Sequence, residues 1–389
     1  MLRLLSVRSL ASRSHWNLTC LKFGEEALVP NHSRLTRAAF VLLFASVTSL
    51  FMSGCGSTPH NEFAYVNQVT FPADNLGPLT GGVAQLRVAS DGTLTQIGPA
   101  NLGWNDTMGS LLVHPSGKYL LLDSGDGNTY EYTIGSDGTL TANPAATING
   151  PGNGGEIAPV VFTPDGRFLV TYRSNFFANN WTNYISLFQL DSNGIPTLVN
   201  TLSADGLPLV LDSSGSYLYS MSGNDSISEY SLSSGTLTFI QSMSLNTDTG
   251  CYLAISPKNF LYCATPGLSH EVIVFSIDPS SGALTQLSQF TGVGPFVFHP
   301  SGMYAYTQLG GTCSQFAVDP QTGIFTPNGP DIAGIGELVL DPSGRFALAL
   351  SGPDTISSFT INGNGQLIPA ATLALGSSPL AQNIAVARP

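Results

Sequence analysis

One motif, returning at a nearly fixed interval, decides what this 389-residue chain can fold into. It reads apolar run, Pro, small or acidic residue, Gly, basic residue, apolar run. Clear copies lie at 111–120, 160–169, 296–305 and 338–347, with weaker ones around Ser213 and Pro257. The turn positions are 115, 164, 213, 257, 300 and 342, spaced by 49, 49, 44, 43 and 42 residues, and Pro389 lies another 47 on. Pro presets φ and Gly accepts φ > 0, so each copy is a tight turn between two strands. A second motif alternates with the first: an alternating strand, an Asp/Ser/Asn–Gly turn, then Thr-Leu-Thr or a variant. It occurs at 84–95, 130–141, 274–285 and 315–326, and again near 188–198, 229–238 and 358–368.

Two hairpins in each repeat of 42–49 residues give four antiparallel strands, called here a to d. That is the arithmetic of a β-propeller blade. Seven c–d hairpins predict an all-β, seven-bladed β-propeller of 28 strands. The ends are complementary. Residues 63–67 read as a strand b with no strand a before it, and 383–389 as a strand a with no strand b after it. The first blade should therefore be closed by the C-terminal strand, leaving no open edge. Continuous apolar runs predict a buried strand a, and alternation predicts half-exposed outer strands.

Composition agrees. Only 10% of residues are charged, against roughly 25% in an ordinary domain, while 42 Gly and 25 Pro punctuate turns. This excludes a helical bundle, a coiled coil and a basic nucleic-acid binder. With 42% hydrophobic residues it also excludes disorder.

The domain plan is a leader at 1–54, a linker at 55–60 and the propeller at 61–389. Arg34 and Arg37 precede an apolar run of about 15 residues, short for a membrane span. The run ends in Met-Ser-Gly-Cys55, which resembles a bacterial lipobox with Met52 in place of the more usual Leu. The expectation is a signal peptide, lipidation at Cys55 and a lipid-anchored envelope protein on the periplasmic or outer-membrane face. The membrane would be touched only through that anchor. Residues 1–33 fit no export signal, and a translation start nearer Val29 is expected. The leader holds six basic and two acidic residues, so the remainder keeps seven basic and 23 acidic, a formal charge of −16. Cys251 and Cys263 flank the turn at Pro257, nearly opposite each other. They either pair in an oxidising compartment or stay as buried thiols.

The repeats resemble the seven-bladed lactonase family of 6-phosphogluconolactonases and carboxymuconate-cyclizing enzymes. The resemblance rests on the Pro-x-Gly-(Lys/Arg)-aromatic turns and on the segment 277–285, and it extends over 61–389. It implies a His-x-His shortly before one Pro-x-Gly turn and an Asp-rich segment after it. Asp123 and Asp126 match the second element, but the histidine positions before Pro115 hold Thr107 and Gly109. The family's substrate arginines also lack clear counterparts. Lys118, Arg167, Lys258 and Arg345 follow a–b turns, and Arg388 abuts the equivalent place, which leaves Arg87 and Arg173 free. A phosphosugar site needs clustered Arg or Lys.

The segments before strand a ring one mouth of a propeller. They carry Trp104, Asn105, Asp106, Glu156, Asp205, Asp248 and Glu337. These acids either converge on a cation such as Ca2+, a hard ion that takes oxygen ligands, or are scattered solvated acids. No cofactor is otherwise expected. His114 and His299 precede turn prolines, where other repeats place Thr, Asp or Ser, so a turn role is expected. Residues 150–155 match Gly-x-Gly-x-x-Gly but precede a strand, which argues against a dinucleotide site. Phe176, Phe177 and Trp181 form an aromatic cluster that either binds sugar or protein or folds on its own blade. The expected function is a monomeric module binding a small molecule or a protein. The alternative is a divergent lactonase hydrolysing a sugar-acid lactone with Glu156 and Arg173.

Overall fold

The computed structural model describes most of 62–388. Excepted are 71–79, 99–100, 106–108, 125–126, 150–155, 178–179, 205, 223–224, 246–249, 266–269 and 377–378. The leader, the linker and Cys55 lie outside the described residues.

The described strands form seven antiparallel sheets. Blade 1 is assembled from both ends of the chain. Its innermost strand a is Pro379–Ala387, its strand b Glu62–Thr70, its strand c Thr80–Val88 and its strand d Leu94–Gln96. Blade 2 runs Leu111–Val113, Tyr119–Asp123, Thr129–Ile134 and Leu140–Ala142, and blade 3 runs Glu156–Phe162, Phe168–Phe177, Asn180–Leu190 and Pro196–Ser203. Blades 4 to 7 repeat the meander up to Leu367–Ala374. There are 30 strands among the described residues, not 28. Blades 1 and 6 each carry an additional short strand, Asn101–Asn105 and Ile332–Ala333, pairing with their strand c.

Burial peaks at strand b. In blade 5 every residue of strand b, Phe260–Ala264, is buried. The inner strands Leu111–Val113, Leu209–Leu211 and Leu338–Leu340 bury only their first residue fully. Continuous apolar sequence predicts a buried strand a, and strand b is buried more fully still. Strand b has a hydrogen-bonded neighbour on each edge and a blade on each face, whereas strand a has a ladder on one edge only.

Two side-chain devices fasten blades to their neighbours at several of the seams. The first uses the aromatic residue after the a–b turn and a tyrosine two residues on. Tyr65, Tyr219, Tyr262 and Tyr306 each donate their hydroxyl to the carbonyl of a glycine in the next blade's c–d turn, Gly138, Gly282, Gly323 and Gly365, at 2.7–3.0 Å. A buried phenol needs such an acceptor. The second uses the residue before the turn proline. The Nε2 of His114 lies 2.8 Å from the Gly166 carbonyl of blade 3, and its Nδ1 accepts from the Ser116 backbone N–H. His299 repeats this with Gly344. Both histidines thus hold turns.

The ring closes by main chain and by charge. Strand Pro379–Ala387 pairs with Glu62–Thr70 from Phe63–Ala387 to Thr70–Pro379, with one bulge. Glu62, 1% exposed, accepts from the Arg345 guanidinium of blade 7 at 2.9 Å, with Arg388 Nε at 4.0 Å. Cys251 and Cys263 are joined as a disulfide across strands a and b of blade 5, with Cα atoms 5.2 Å apart. Cys313 is a buried free thiol.

Candidate functional site

In a meander of this kind, the entrance of strand a and the exit of strand b share one face of the ring. The Pro-x-Gly turns and the c–d turns share the other. The first face carries the residues expected to make a site.

The basic residues divide between the two faces. Arg167 and Arg345 stack over Phe168 and Phe346 at the turn face. Arg87 was expected to be available for a site. Its guanidinium instead lies 6.0 Å from the Phe63 ring centre, at the turn face of blade 1. Among the described residues, only Arg173 remains at the other end. It sits in strand b of blade 3, paired with Ile157 on strand a and Tyr184 on strand c. It is half-buried, its Nε is buried without a hydrogen-bond partner, and burial lowers its pKa. Glu156 pairs with Ser174, one register step from Arg173.

Of the five acids of the expected ring, Glu337 alone has a described side chain. Glu337 is half-buried, and its Oε2 accepts the backbone N–H of Ile384 at 3.0 Å. It therefore ties the entrance of blade 7 to the strand that closes blade 1. Burial raises its pKa to about 7, against the opposing effect of that N–H. Trp104 is a second correction. It belongs to Asn101–Asn105 and pairs with Gly81 on strand c, so its backbone is at the outer rim of blade 1 and not beside the axis. Asp106, Asp205 and Asp248 lie outside the described residues. No group of three or more His, Cys, Asp or Glu among the described residues is placed to hold a metal ion.

The positions where a lactonase histidine pair is expected are partly visible. Thr107 lies outside the described residues. Gly109 accepts a hydrogen bond from Asn67 Nδ2 at 2.7 Å. A Cβ at Gly109 would lie 1.7 Å from the Asp123 carbonyl oxygen. Backbone stands where an imidazole would have to begin. Phe176 pairs with Trp181 at the far end of the blade 3 hairpin, so their backbones are cross-strand neighbours.

Besides Asp212 and Asp341 at the a–b turns, three carboxylates are buried that sequence reasoning overlooked. Glu62 closes the ring. Glu131 and Glu229, 2% and 1% exposed, occupy the same place on strand c in blades 2 and 4. That place holds Gln85 in blade 1 and Gln315 in blade 6, and this shared position four residues before the c–d turn was the available signal. A cavity of about 330 Å3 opens at the outer edge of blade 2, lined by Tyr130, Glu131, Tyr132, Leu140, Asn143 and Pro144 among others.

Residues 208–298 match the family described as "Lactonase, 7-bladed beta-propeller". No curated protein matches the sequence. Among solved structures, a Bacteroides uniformis protein provisionally assigned as a 6-phosphogluconolactonase is 19% identical with a TM-score of 0.63. The alignment covers 84% of this chain and 99% of that one. A Bacteroides fragilis protein with the same provisional assignment is 16% identical, TM-score 0.63, over 85% and 99% of the two chains. A Desulfotomaculum acetoxidans protein of unknown function is 14% identical, TM-score 0.59, over 84% and 99%. At these identities the structural likeness speaks for the fold.

Proposed function

We propose that this seven-bladed propeller of lactonase type is a ligand- or protein-binding module, held at the cell envelope by a lipid on Cys55, and that it does not hydrolyse lactones. The observation that carries the reading is Gly109, where a side chain would start 1.7 Å from a backbone oxygen. General acid–base catalysis needs a titrating side chain within hydrogen-bond reach of the reacting oxygen. The basic residues add support. Two of the four that follow the a–b turns, Arg167 and Arg345, stack on aromatic rings at the turn face, as does Arg87, and Arg173 alone among the described residues sits at the other end. Two negative charges on a phosphosugar call for more than one guanidinium.

The alternative is a divergent lactonase acting on a sugar-acid lactone. It is favoured by the family match and by Arg173, whose buried Nε has no partner and whose neighbour in register is next to Glu156.

A lactone panel separates the two. The protein processed at Cys55 is expected to hydrolyse gluconolactone, phosphogluconolactone and muconolactone no faster than buffer, with or without Ca2+. Turnover well above buffer that is lost in Glu156→Gln or Arg173→Gln would establish the alternative. The anchor is tested by metabolic labelling with a radioactive fatty acid. Label is expected on the intact protein and absent from Cys55→Ser. An unlabelled wild-type protein recovered in the soluble fraction would refute anchoring.

A further inference from the structure

The third inter-blade device is a side-chain amide or carboxyl on strand c that reaches the first residue of the next blade's strand d. Gln85 Oε1 accepts the Leu140 N–H at 2.8 Å, and Gln315 Oε1 accepts the Leu367 N–H at 2.7 Å. At the seam between blades 4 and 5, the Leu284 N–H favours the ionised form of Glu229. In register, Leu140 faces Ile134, Leu284 faces Ile277 and Leu367 faces Ile361. Blade 3 has Pro196 facing Leu190 at the same place. Proline has no N–H. The residue of blade 2 at the acceptor's position on strand c is Glu131.

Glu131 is left half satisfied, as is Glu229, whose Oε1 is likewise buried with no hydrogen-bond partner, but at Glu131 the next blade offers no N–H at this position. Glu131 Oε1 accepts from Asn143 Nδ2 at 2.8 Å, and its Oε2 is buried with no hydrogen-bond partner. The surroundings are unfavourable to charge. Blade 3 lays its c–d turn over the carboxyl, so that a Cβ at Gly194 would lie 3.0 Å from Oε1. Tyr119 of strand b shares that contact and donates to the Ser192 carbonyl. Asp191 of the same turn adds a like charge. Leu121, Ile148, Phe162, Leu169 and Phe188 form the apolar core of this seam. No basic residue among the described ones contributes to the Glu131 titration.

We propose that the seam between blades 2 and 3 is a pH-sensitive joint, closed when Glu131 is protonated and loosened when it ionises. Protonation removes the charge and leaves a neutral carboxyl, whose O–H donor and remaining acceptor cost far less to bury than the carboxylate. Ionisation leaves a buried, half-paired carboxylate beside Asp191. A lone buried charge is among the larger single destabilising features a fold can contain.

The titration runs in the right range. Burial, with Asp191 assisting and Asn143 opposing, lifts the Glu131 pKa from 4.5 to about 7. The folded state therefore keeps a proton that the unfolded state releases above pH 4.5. Stability from this group is lost as pH rises through that window and is level above about 7. Glu337 acts in the same direction, but equally in wild type and in a Glu131 variant.

The test is thermal unfolding of the full chain from pH 5 to 8, read as the difference between variant and wild type at each pH. Glu131→Gln keeps the acceptor for Asn143 and cannot ionise. Its advantage over wild type is expected to grow by about 2–4 °C between pH 5 and 8. Pro196→Ala restores the missing N–H and is expected to flatten the wild-type loss over the same range, whatever constant offset it introduces. A difference that stays constant with pH for both variants would overturn the joint. Should Glu131→Gln fail to fold, the slope of Pro196→Ala alone decides.

Discussion

Ending the chain at Gly376 is expected to abolish cooperative folding of the propeller. The lost strand Pro379–Ala387 provides the whole inner edge of blade 1, paired with Glu62–Thr70. Its two faces serve different seams. Ala381 and Ile384 pack with Leu348 and Leu350 of blade 7 and Ala64 and Val66 of blade 1. Ala385 and Ala387 pack with Phe63, Leu111 and Leu120 toward blade 2. Removal also strips the Ile384 N–H from Glu337. Burying a large aliphatic side chain is worth about 1.5–3 kcal/mol. A lost inner strand with its ladder therefore approaches the 5–15 kcal/mol that separates a typical folded domain from its unfolded state. It further bares the edge of Glu62–Thr70, a template for edge-to-edge association. Size-exclusion chromatography and near-ultraviolet circular dichroism read the outcome: aggregate or no soluble protein, and no fixed aromatic signal. A soluble monomer with an unchanged unfolding midpoint would show that the ring does not depend on its clasp.

Gly282→Ala is expected to destabilise the protein by about 2–5 kcal/mol, far beyond the effect of a methyl on an exposed turn. Two terms combine. Gly282 has φ +77°, where an L-residue costs roughly 1–2 kcal/mol. An added Cβ would also lie 2.2 Å from the Tyr217 ring, which the preceding blade stacks on this turn. Overpacking of a fitted interior costs about 1–3 kcal/mol more. Relief requires the ring to withdraw, and the bond from Tyr219 to the Gly282 carbonyl shares the same turn. Gly363, whose added Cβ meets nothing within 4 Å, is the matched control and is expected to change little on substitution by Ala. Denaturant midpoints compare the two. Equal midpoints would mean that the c–d turn moves freely under the neighbouring blade.

The same glycine shows where reading a sequence succeeds and where it stops. Gly282 was legible as a turn because Asp278, Pro279 and Gly282 are local signals. That it lies under Tyr217, 65 positions earlier, was not legible. Arg173 was recognised as unspoken for. Arg87 belongs to a different class, since it faces Phe63 across the register of strands b and c, a pairing set by the long b–c connection and not by spacing. Glu337 looked like one member of an acidic ring. Its acceptor role emerges only where the C-terminal strand arrives beside it.

The sequence by itself determined the repeat, its four strands, the number of blades and the closure by the C-terminus. Each of these follows from turn chemistry and from alternation along a few residues. The tertiary structure alone decided which residues meet between blades. It put Leu140 and Leu367 opposite Gln85 and Gln315, and set Pro196 where Glu131 needed a donor. It filled the space at Gly109 with the Asp123 carbonyl. Hydrogen-bond supply and burial at a seam depend on how two blades are stacked, and a local pattern carries no term for that.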